Sequence, residues 1–171
     1  ILQNIMQRMS GVATQTAVYV QELDGLKTQV IDTRKTTPGM RVLDKMAVRI
    51  GGGGNHRIGL FDMVILKDNH IDFAGGITPA IRKTQAYLKE KGKNIPIEVE
   101  VRSLDDIREV LSVGGVDRIM LDNFSPETTR EAVALIGGRY ETESPGGITM
   151  KNLREYAECG VDFISVGALT H

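Results

Sequence analysis

Basic side chains are concentrated between residues 34 and 67. This segment holds seven lysines and arginines and two acids, a local balance of +5 in a chain whose net charge is −1. Arginine binds carboxylates and phosphates through paired hydrogen bonds, so the segment predicts a site for a small polyanion. The basic residues are Arg34, Lys35, Arg41, Lys45, Arg49, Arg57 and Lys67.

These seven residues fall into two groups. Those at positions 34, 35, 57 and 67 lie in or beside loops that follow apolar runs, so we expect them to contact a ligand. Arg41, Lys45 and Arg49 lie in a helical segment, and for them the solvated face of that helix is the favoured interpretation.

Acidic residues end two apolar runs in the second half of the chain. Glu98 and Glu100 lie two positions apart in IEVEV, on one face of a strand, and Asp122 follows RIML. Carboxylates are costly to bury unless a cation or a basic group pairs with them. Glu100 and Asp122 could hold Mg²⁺, directly or through water, or form salt bridges to the basic cluster. Both interpretations place them in the site.

Two glycine-rich segments flank these charges. Gly51–Gly54 precedes Asn55-His56-Arg57 and is either a flexible loop or, as we favour, backbone that closely approaches a ligand. Gly146, Gly147 and Gly167 follow later strands, where exposed N–H groups can bind phosphate. His171 could add a donor there, and His70 could simply cap a turn.

Six β-branched apolar runs predict strands buried on both faces, as in parallel sheets. Helical periodicity separates them, so the chain is predicted to be an α/β fold. Polar and glycine signals follow every strand, which favours a barrel over a doubly wound sheet. The runs are Gln29–Thr33, Met63–Leu66, Ile95–Val101, Arg118–Leu121, Arg139–Thr142 and Asp162–Val166.

Helix boundaries carry recognisable signals. Ser103, Ser125 and Thr149 are predicted N-caps, and Pro126 suits a first helical position. Glycines at 114, 137 and 160 are predicted to follow helix ends.

The composition restricts the class of protein. A length of 171 residues with 41% hydrophobic and 25% charged residues is typical of one folded domain. No apolar run is long enough for a membrane span, and the small net charge and few aromatics disfavour nucleic-acid binding. A lone Cys159 leaves no internal disulfide, and we predict a cytoplasmic enzyme that acts on small molecules. The chain opens inside a helix, so we expect a piece of a longer protein.

These segments together resemble the quinolinate phosphoribosyltransferase family. Asp32–Gly39 (DTRKTTPG) is similar to its signature, and Gly51–Arg57 and Leu60–Ile71 (LFDMVILKDNHI) continue in register, followed by IEVEV, MLDNF and ISVGALTH. The resemblance implies an incomplete, TIM-like parallel α/β barrel, with residues 1–171 forming the C-terminal catalytic domain. It also implies a separate N-terminal sandwich domain and a C-terminal end outside this chain, and dimers or multiples of dimers.

The resemblance further implies phosphoribosyl transfer from phosphoribosyl pyrophosphate to quinolinate with decarboxylation, in NAD biosynthesis. Quinolinate would contact Arg34, His56, Arg57 and Lys67, and Lys35 would lie near both substrates. Glu100 and Asp122 would face the ribose and Mg²⁺, and Gly146, Gly147, Gly167 and His171 would hold the 5′-phosphate. The implied catalytic residues are Lys35, Lys67, Glu100 and Asp122. Pro145 departs from the family pattern, which usually has serine there.

Three alternatives remain open. A related transferase of another substrate, like the homologue tied to molybdenum uptake, would share much of this pattern. A Schiff-base aldolase could use Lys67 at its strand end. A binding subunit could have kept the fold without the activity, and Pro145 is the one feature that points there.

Overall fold

Strands and helices alternate along the chain in a computed structural model that describes all 171 residues. The strands are β1 (Gln29–Ile31), β2 (Val64–Leu66), β3 (Ile97–Val101), β4 (Arg118–Leu121), β5 (Glu141–Pro145) and β6 (Phe163–Ser165). The helices are α1 (Leu2–Glu22), α2 (Arg41–Ile50), α3 (Asp68–Ala74), α4 (Ile77–Glu90), α5 (Leu104–Val113), α6 (Pro126–Ile136) and α7 (Leu153–Ala157), and a 3₁₀ turn spans Gly167–Thr170. No helix combines the length and apolar character that a membrane span requires.

The six strands form one parallel sheet in the order β1-β6-β5-β4-β3-β2. Each strand from β2 to β5 pairs with the next along the chain, and β1 pairs with β6. This cyclic order belongs to a barrel, because a doubly wound sheet reverses its strand order at a switch point. No ladder joins β1 to β2, so the barrel is incomplete. The predicted fold class is confirmed.

Alternation along the strands separates a polar barrel interior from an apolar outer layer. In β3, Glu98 and Glu100 point inward, while Val99 points outward toward the helices, and all three are buried. Arg118 lies beside Glu98 in the ladder and continues the polar interior in β4, while Ile119 continues the apolar layer. The hydrophobic core therefore lies between sheet and helices, and the interior is available for charged chemistry.

The predicted fifth strand was placed too early. Arg139–Thr142 was expected to be extended, but Arg139 belongs to the turn after α6, where its N–H donates to the Ile136 carbonyl. The ladder begins at Glu141 and runs to Pro145. Polar Glu143 and Ser144 are fully buried within it, and an apolar pattern could not identify them as strand residues.

Two of the three predicted N-caps are confirmed. The Ser103 and Ser125 hydroxyls accept backbone N–H groups three residues later, and Pro126 opens α6. The prediction for Thr149 was wrong, because α7 begins at Leu153 after an Asn152 cap. The Asn152 side chain accepts the Thr149 N–H and fixes a turn in place of the first helical turn.

The glycine run fills the gap between β1 and β2. Gly54 forms an isolated bridge with Ile31, and a Cβ at Gly51 would collide with the Ala13 carbonyl oxygen of α1. These glycines therefore allow close approach to the protein's own backbone. The expectation that the run approaches a ligand was wrong, since none of Gly51–Gly54 lines the cavity at the carboxyl ends of the strands, where the other predicted site residues meet.

Candidate active site

A cavity of about 410 Å³ opens where the carboxyl ends of the strands meet. Parallel barrels place their active sites at this end, because the loops after all strands converge there. Ten of the eleven predicted site residues line it: Arg34, Lys35, His56, Arg57, Lys67, Glu100, Asp122, Gly146, Gly147 and Gly167. His171 does not line it, but its imidazole lies against Gly167, where a Cβ would come within 3.5 Å of Nε2.

Two arginines form the cationic side of the cavity. One guanidinium nitrogen of Arg57 donates to the Met63 carbonyl at 2.9 Å, while its Nε is buried without an acceptor. Burial and then repulsion from Arg34 lower the pKa of Arg57. A buried donor without a partner is costly, so this side is arranged to receive an anionic ligand.

Two carboxylates face the cavity from the ends of neighbouring strands. Lys67 Nζ lies 3.8 Å from a Glu100 oxygen, so the alternative of a salt bridge to the basic cluster is present for Glu100. Burial raises the pKa of Glu100, Lys67 opposes this, and the nearby Asp122 adds to it. Asp122 accepts only the Asn123 amide, at 3.1 Å, and keeps oxygen atoms free for a ligand.

His56 lies on top of a buried acidic pair. Its Nε2 is 3.1 Å from a Glu98 oxygen and 3.2 Å from a Glu143 oxygen, and both acids are fully buried. Arg118 Nη1 lies 3.2 Å from the same Glu143 oxygen. Burial and the Glu143 charge raise the pKa of Glu98 to about 7, whereas His56 outweighs burial at Glu143 and lowers its pKa to about 2.

The protonation of His56 decides whether this cluster could bind a metal. Burial lowers its pKa, but the two carboxylates outweigh burial and raise it to about 9. The hydrogen bond from the Arg57 N–H to Nδ1, at 2.7 Å, opposes full protonation, because a protonated Nδ1 could not accept it. We therefore place the ring hydrogen on Nε2. The three ligand atoms lie within 4.8 Å of one another. A neutral imidazole that bound a metal through Nε2 would carry its hydrogen on Nδ1, however, and Nδ1 here accepts the Arg57 N–H, so the cluster is not suited to a metal.

One side of the cavity is formed largely by glycine backbone. Gly146 and Gly147 have φ values of 62° and 64° and follow Pro145, the last residue of β5. Pro145 lines the cavity but has neither a hydroxyl nor an N–H group. Any anion bound here must therefore use the glycine N–H groups and the side chains across the cavity.

Comparison with known proteins identifies the family. Residues 12–171 match the family described as "Quinolinate phosphoribosyl transferase, C-terminal domain". The chain belongs to this family. It is 45% identical over its whole length to the chloroplastic nicotinate-nucleotide pyrophosphorylase (carboxylating) of Arabidopsis thaliana, and covers 53% of that protein.

Two bacterial relatives support the same family assignment. The probable nicotinate-nucleotide pyrophosphorylase (carboxylating) of Bacillus subtilis is 44% identical over the whole chain, which covers 58% of it. The solved structure of the Francisella tularensis nicotinate-nucleotide pyrophosphorylase superposes with a TM-score of 0.89 at 45% identity, over 95% of this chain and 56% of that one. The chain thus spans about half the length of the family members it matches.

Three basic residues of α2 and one histidine of α3 test the interpretation of the sequence. Lys45 was expected on a solvated helix face but is 2% exposed, because its ammonium group is ion-paired to Asp32, just after β1, and donates to the His56 carbonyl. Arg49 is exposed as expected, and Arg41 is partly buried and hydrogen-bonded to the loop before α2. His70 caps a turn as predicted, since its Nδ1 accepts the Lys67 N–H.

Glu143 and Ser165 line the cavity but were not selected from the sequence. Both point inward from strands, and strict alternation from Glu141 would have identified Glu143 as an interior residue. The misplaced fifth strand concealed that signal.

Proposed function

We propose that the complete protein transfers a phosphoribosyl group from phosphoribosyl pyrophosphate to quinolinate and releases diphosphate and CO₂, forming nicotinate mononucleotide for NAD biosynthesis. Family membership supports this pentosyltransferase activity. The observation that carries it is the buried Arg57 Nε, which has no acceptor and lies near a second guanidinium. A dicarboxylate would supply acceptors to both groups at once.

Quinolinate would be oriented by the cationic side of the cavity. Arg34 and Arg57 would bind its carboxylates, with His56, Lys67 and Lys35 around them. The pyridine nitrogen then forms a bond to the anomeric carbon as the bond from that carbon to diphosphate breaks. Positioning the two reactants in this way removes much of the entropic cost of the reaction.

Charge develops on the sugar as diphosphate leaves, and Glu100 faces that position. A fixed carboxylate there would stabilise an oxocarbenium-like transition state without reorganisation. The C2–carboxylate bond then breaks, its electron pair stays on C2 beside the cationic ring nitrogen, and C2 takes up a proton. The products are the mononucleotide, diphosphate and CO₂.

Magnesium suits the acidic side of this cavity. Glu100 and Asp122 offer the hard oxygen ligands that Mg²⁺ prefers, and their mutual repulsion, which helps to raise the pKa of Glu100, would be relieved by a cation. Bound together with the diphosphate, Mg²⁺ would neutralise charge on the leaving group. The 5′-phosphate would lie at Gly146, Gly147 and Gly167, with His171 at the rim.

The decisive experiment uses quinolinate labelled at its 2-carboxyl group and the complete protein. We expect labelled CO₂ to be released only when phosphoribosyl pyrophosphate is present. Nicotinate tested in parallel distinguishes the related transferase, which would use nicotinate and release no CO₂. Transfer to neither substrate would contradict the proposal and leave the non-catalytic binding subunit.

The aldolase alternative is weaker. Lys67 is half exposed and lies near Glu100, whereas a Schiff-base lysine is typically desolvated among apolar groups. Borohydride reduction in the presence of a carbonyl substrate should therefore leave Lys67 unmodified.

Assembly and location are part of the same proposal. Val42, Met46 and Ile50 form an exposed apolar stripe along α2, which supports a dimer or a multiple of dimers. Sedimentation of the complete protein tests this, and a monomer would contradict it. A cytoplasmic location, based on the single cysteine, remains a prediction that fractionation of the source cells can test.

A further inference from the structure

The segment carrying His56 and Arg57 has no ladder to hold it. It follows the gap between β1 and β2, where the only β-bridge is between Ile31 and Gly54. Beyond Gly54, the backbone groups of Asn55–Arg57 form no hydrogen bond with another backbone group. Some other interaction must therefore fix the direction in which these two side chains enter the cavity.

A buried ion pair provides that interaction. Lys45 Nζ donates to Asp32 Oδ1 at 2.5 Å, and the two side chains are 3% and 0% exposed. Asp32 Oδ1 also accepts the His56 N–H at 2.8 Å, and Lys45 Nζ donates to the His56 carbonyl at 2.9 Å. Asn55 completes the arrangement, since its amide donates to Asp32 Oδ2 at 2.7 Å. Both backbone polar groups of His56 are thus bound by one ion pair.

We propose that Asp32 and Lys45 are positioning residues, whose ion pair fixes the backbone of His56 and thereby directs His56 and Arg57 toward the quinolinate carboxylates. The inference rests on the proposed function. Neither residue lines the cavity, so both act through His56.

The energetics favour positioning over stability as the role of this pair. Burial raises the pKa of Asp32 even though Lys45, His56 and Asn55 all donate to it. The carboxylate is therefore not fully compensated for its lost hydration, and well-packed neutral residues can often replace a buried ion pair without loss of stability. A pair that adds little stability but fixes the backbone of a ligand-binding residue has a functional explanation.

The test measures the KM of each substrate separately in the complete protein. Lys45→Met should raise the KM for quinolinate by about tenfold to a hundredfold, because small displacements of binding groups have effects of this size. The KM for phosphoribosyl pyrophosphate should change by less than about threefold, because most of its proposed residues follow β3, β4, β5 and β6 and not the segment that the ion pair holds. The double variant Asp32→Asn/Lys45→Met leaves no unpaired buried charge and should show the same split while folding normally.

Asp162→Asn is the matched control. Asp162 also pairs with a lysine and accepts a backbone N–H, but it lies at the opposite end of the barrel. It should lower stability without changing either KM. The positioning role is overturned if the double variant has a normal quinolinate KM, or if both KM values rise together in proportion to lost stability.

Hydrogen exchange provides a readout independent of activity. The His56 amide should exchange faster in both Lys45 variants than in the parent or in Asp162→Asn, and unchanged exchange would overturn the inference. If the parent protein releases no CO₂ from quinolinate, the proposed function fails instead, while the exchange result still tests the role of the ion pair.

Discussion

The two sides of the cavity are held in place by different kinds of interaction. Glu100 and Asp122 end β3 and β4, and each of these strands pairs with a neighbour on both sides. His56 and Arg57 occupy the gap in the barrel and depend on the Asp32–Lys45 ion pair. The acidic side is thus fixed by backbone hydrogen bonds, and the cationic side by particular side chains.

This difference has a consequence for substitutions. A ladder forms with almost any side chain, so the acidic side should tolerate changes behind the strands that leave the sheet intact. The cationic side depends on a few specific donors and acceptors, so substitutions outside the cavity should alter ligand binding. Substitutions of cavity residues should also differ between the two sides. Those on the cationic side should weaken quinolinate binding, and those on the acidic side should lower kcat.

The largest expected effect is on the cationic side. Arg57→Ala should raise the Kd of quinolinate at least about a hundredfold, since each hydrogen bond to a charged group contributes about 1.5–3 kcal/mol. Calorimetry with the complete protein measures this. Arg49→Ala, on the exposed face of α2, is the control and should bind normally. Unchanged affinity in Arg57→Ala would remove Arg57 from the quinolinate site.

The next effect is on the acidic side and concerns rate. Glu100→Gln removes a charge that we expect to act mainly in the transition state, so kcat should fall about a hundredfold while the quinolinate Kd stays within about threefold. Steady-state rates and calorimetry measure the two quantities. Glu90→Gln, an exposed change at the end of α4, should alter neither. A loss of affinity without a loss of kcat would reverse the assigned roles.

Elements held by strand ladders were predicted better from the sequence than elements held by specific packing contacts. Strands β3 and β4 carry clear apolar patterns, so Glu100 and Asp122 could be assigned to strand ends from the order of residues alone. The glycine run and Lys45 were misinterpreted, because their roles depend on contacts with α1 and β1. Such contacts join residues far apart in sequence, and local patterns do not report them.

Strand β5 was only partly predicted for a related reason. Its interior face carries Glu143, and burial of a charge in a barrel depends on partners supplied by other segments, here Arg118 of β4 and the His56 ring. Apolar periodicity identified β3, whose outer face is apolar, but it cannot identify β5, where Thr142 and Ser144 alternate with Glu141 and Glu143 and both faces are polar. The motif resemblance, in contrast, was sufficient to identify the family and ten of the residues that line the cavity.

Gly51 tests how far packing supports the cationic side. A Cβ there would collide with the Ala13 carbonyl oxygen, so Gly51→Ala should lower the free energy of unfolding by about 1–3 kcal/mol. Gly11→Ala, within α1 itself, meets no atom within 4 Å and should be neutral or stabilising. Denaturant titrations compare the two. Equal stability of both variants would show that the glycine run is not closely packed against α1.

The smallest expected effect lies at Glu98, which is fully buried beside the His56 ring. Its pKa is raised to about 7 by burial and by Glu143, so the folded state retains its proton at a pH where the unfolded chain has lost it. The stability gained in this way is complete below the ordinary carboxyl pKa and is lost as the pH rises through about 7. Glu143 stays ionised throughout this range, since its pKa is about 2.

Glu98→Gln removes this pH dependence while leaving a carbonyl oxygen to face the His56 Nε2–H. The melting temperature of the variant relative to the parent should therefore be higher at pH 8 than at pH 6. The difference should be about 2–4 °C for each kcal/mol of unfolding free energy that the parent loses between these pH values. Glu131→Gln, on the exposed surface of α6, should give no such difference. A pH-independent offset for Glu98→Gln would mean that Glu98 is already ionised at pH 6, and His56 would then have to carry the compensating charge.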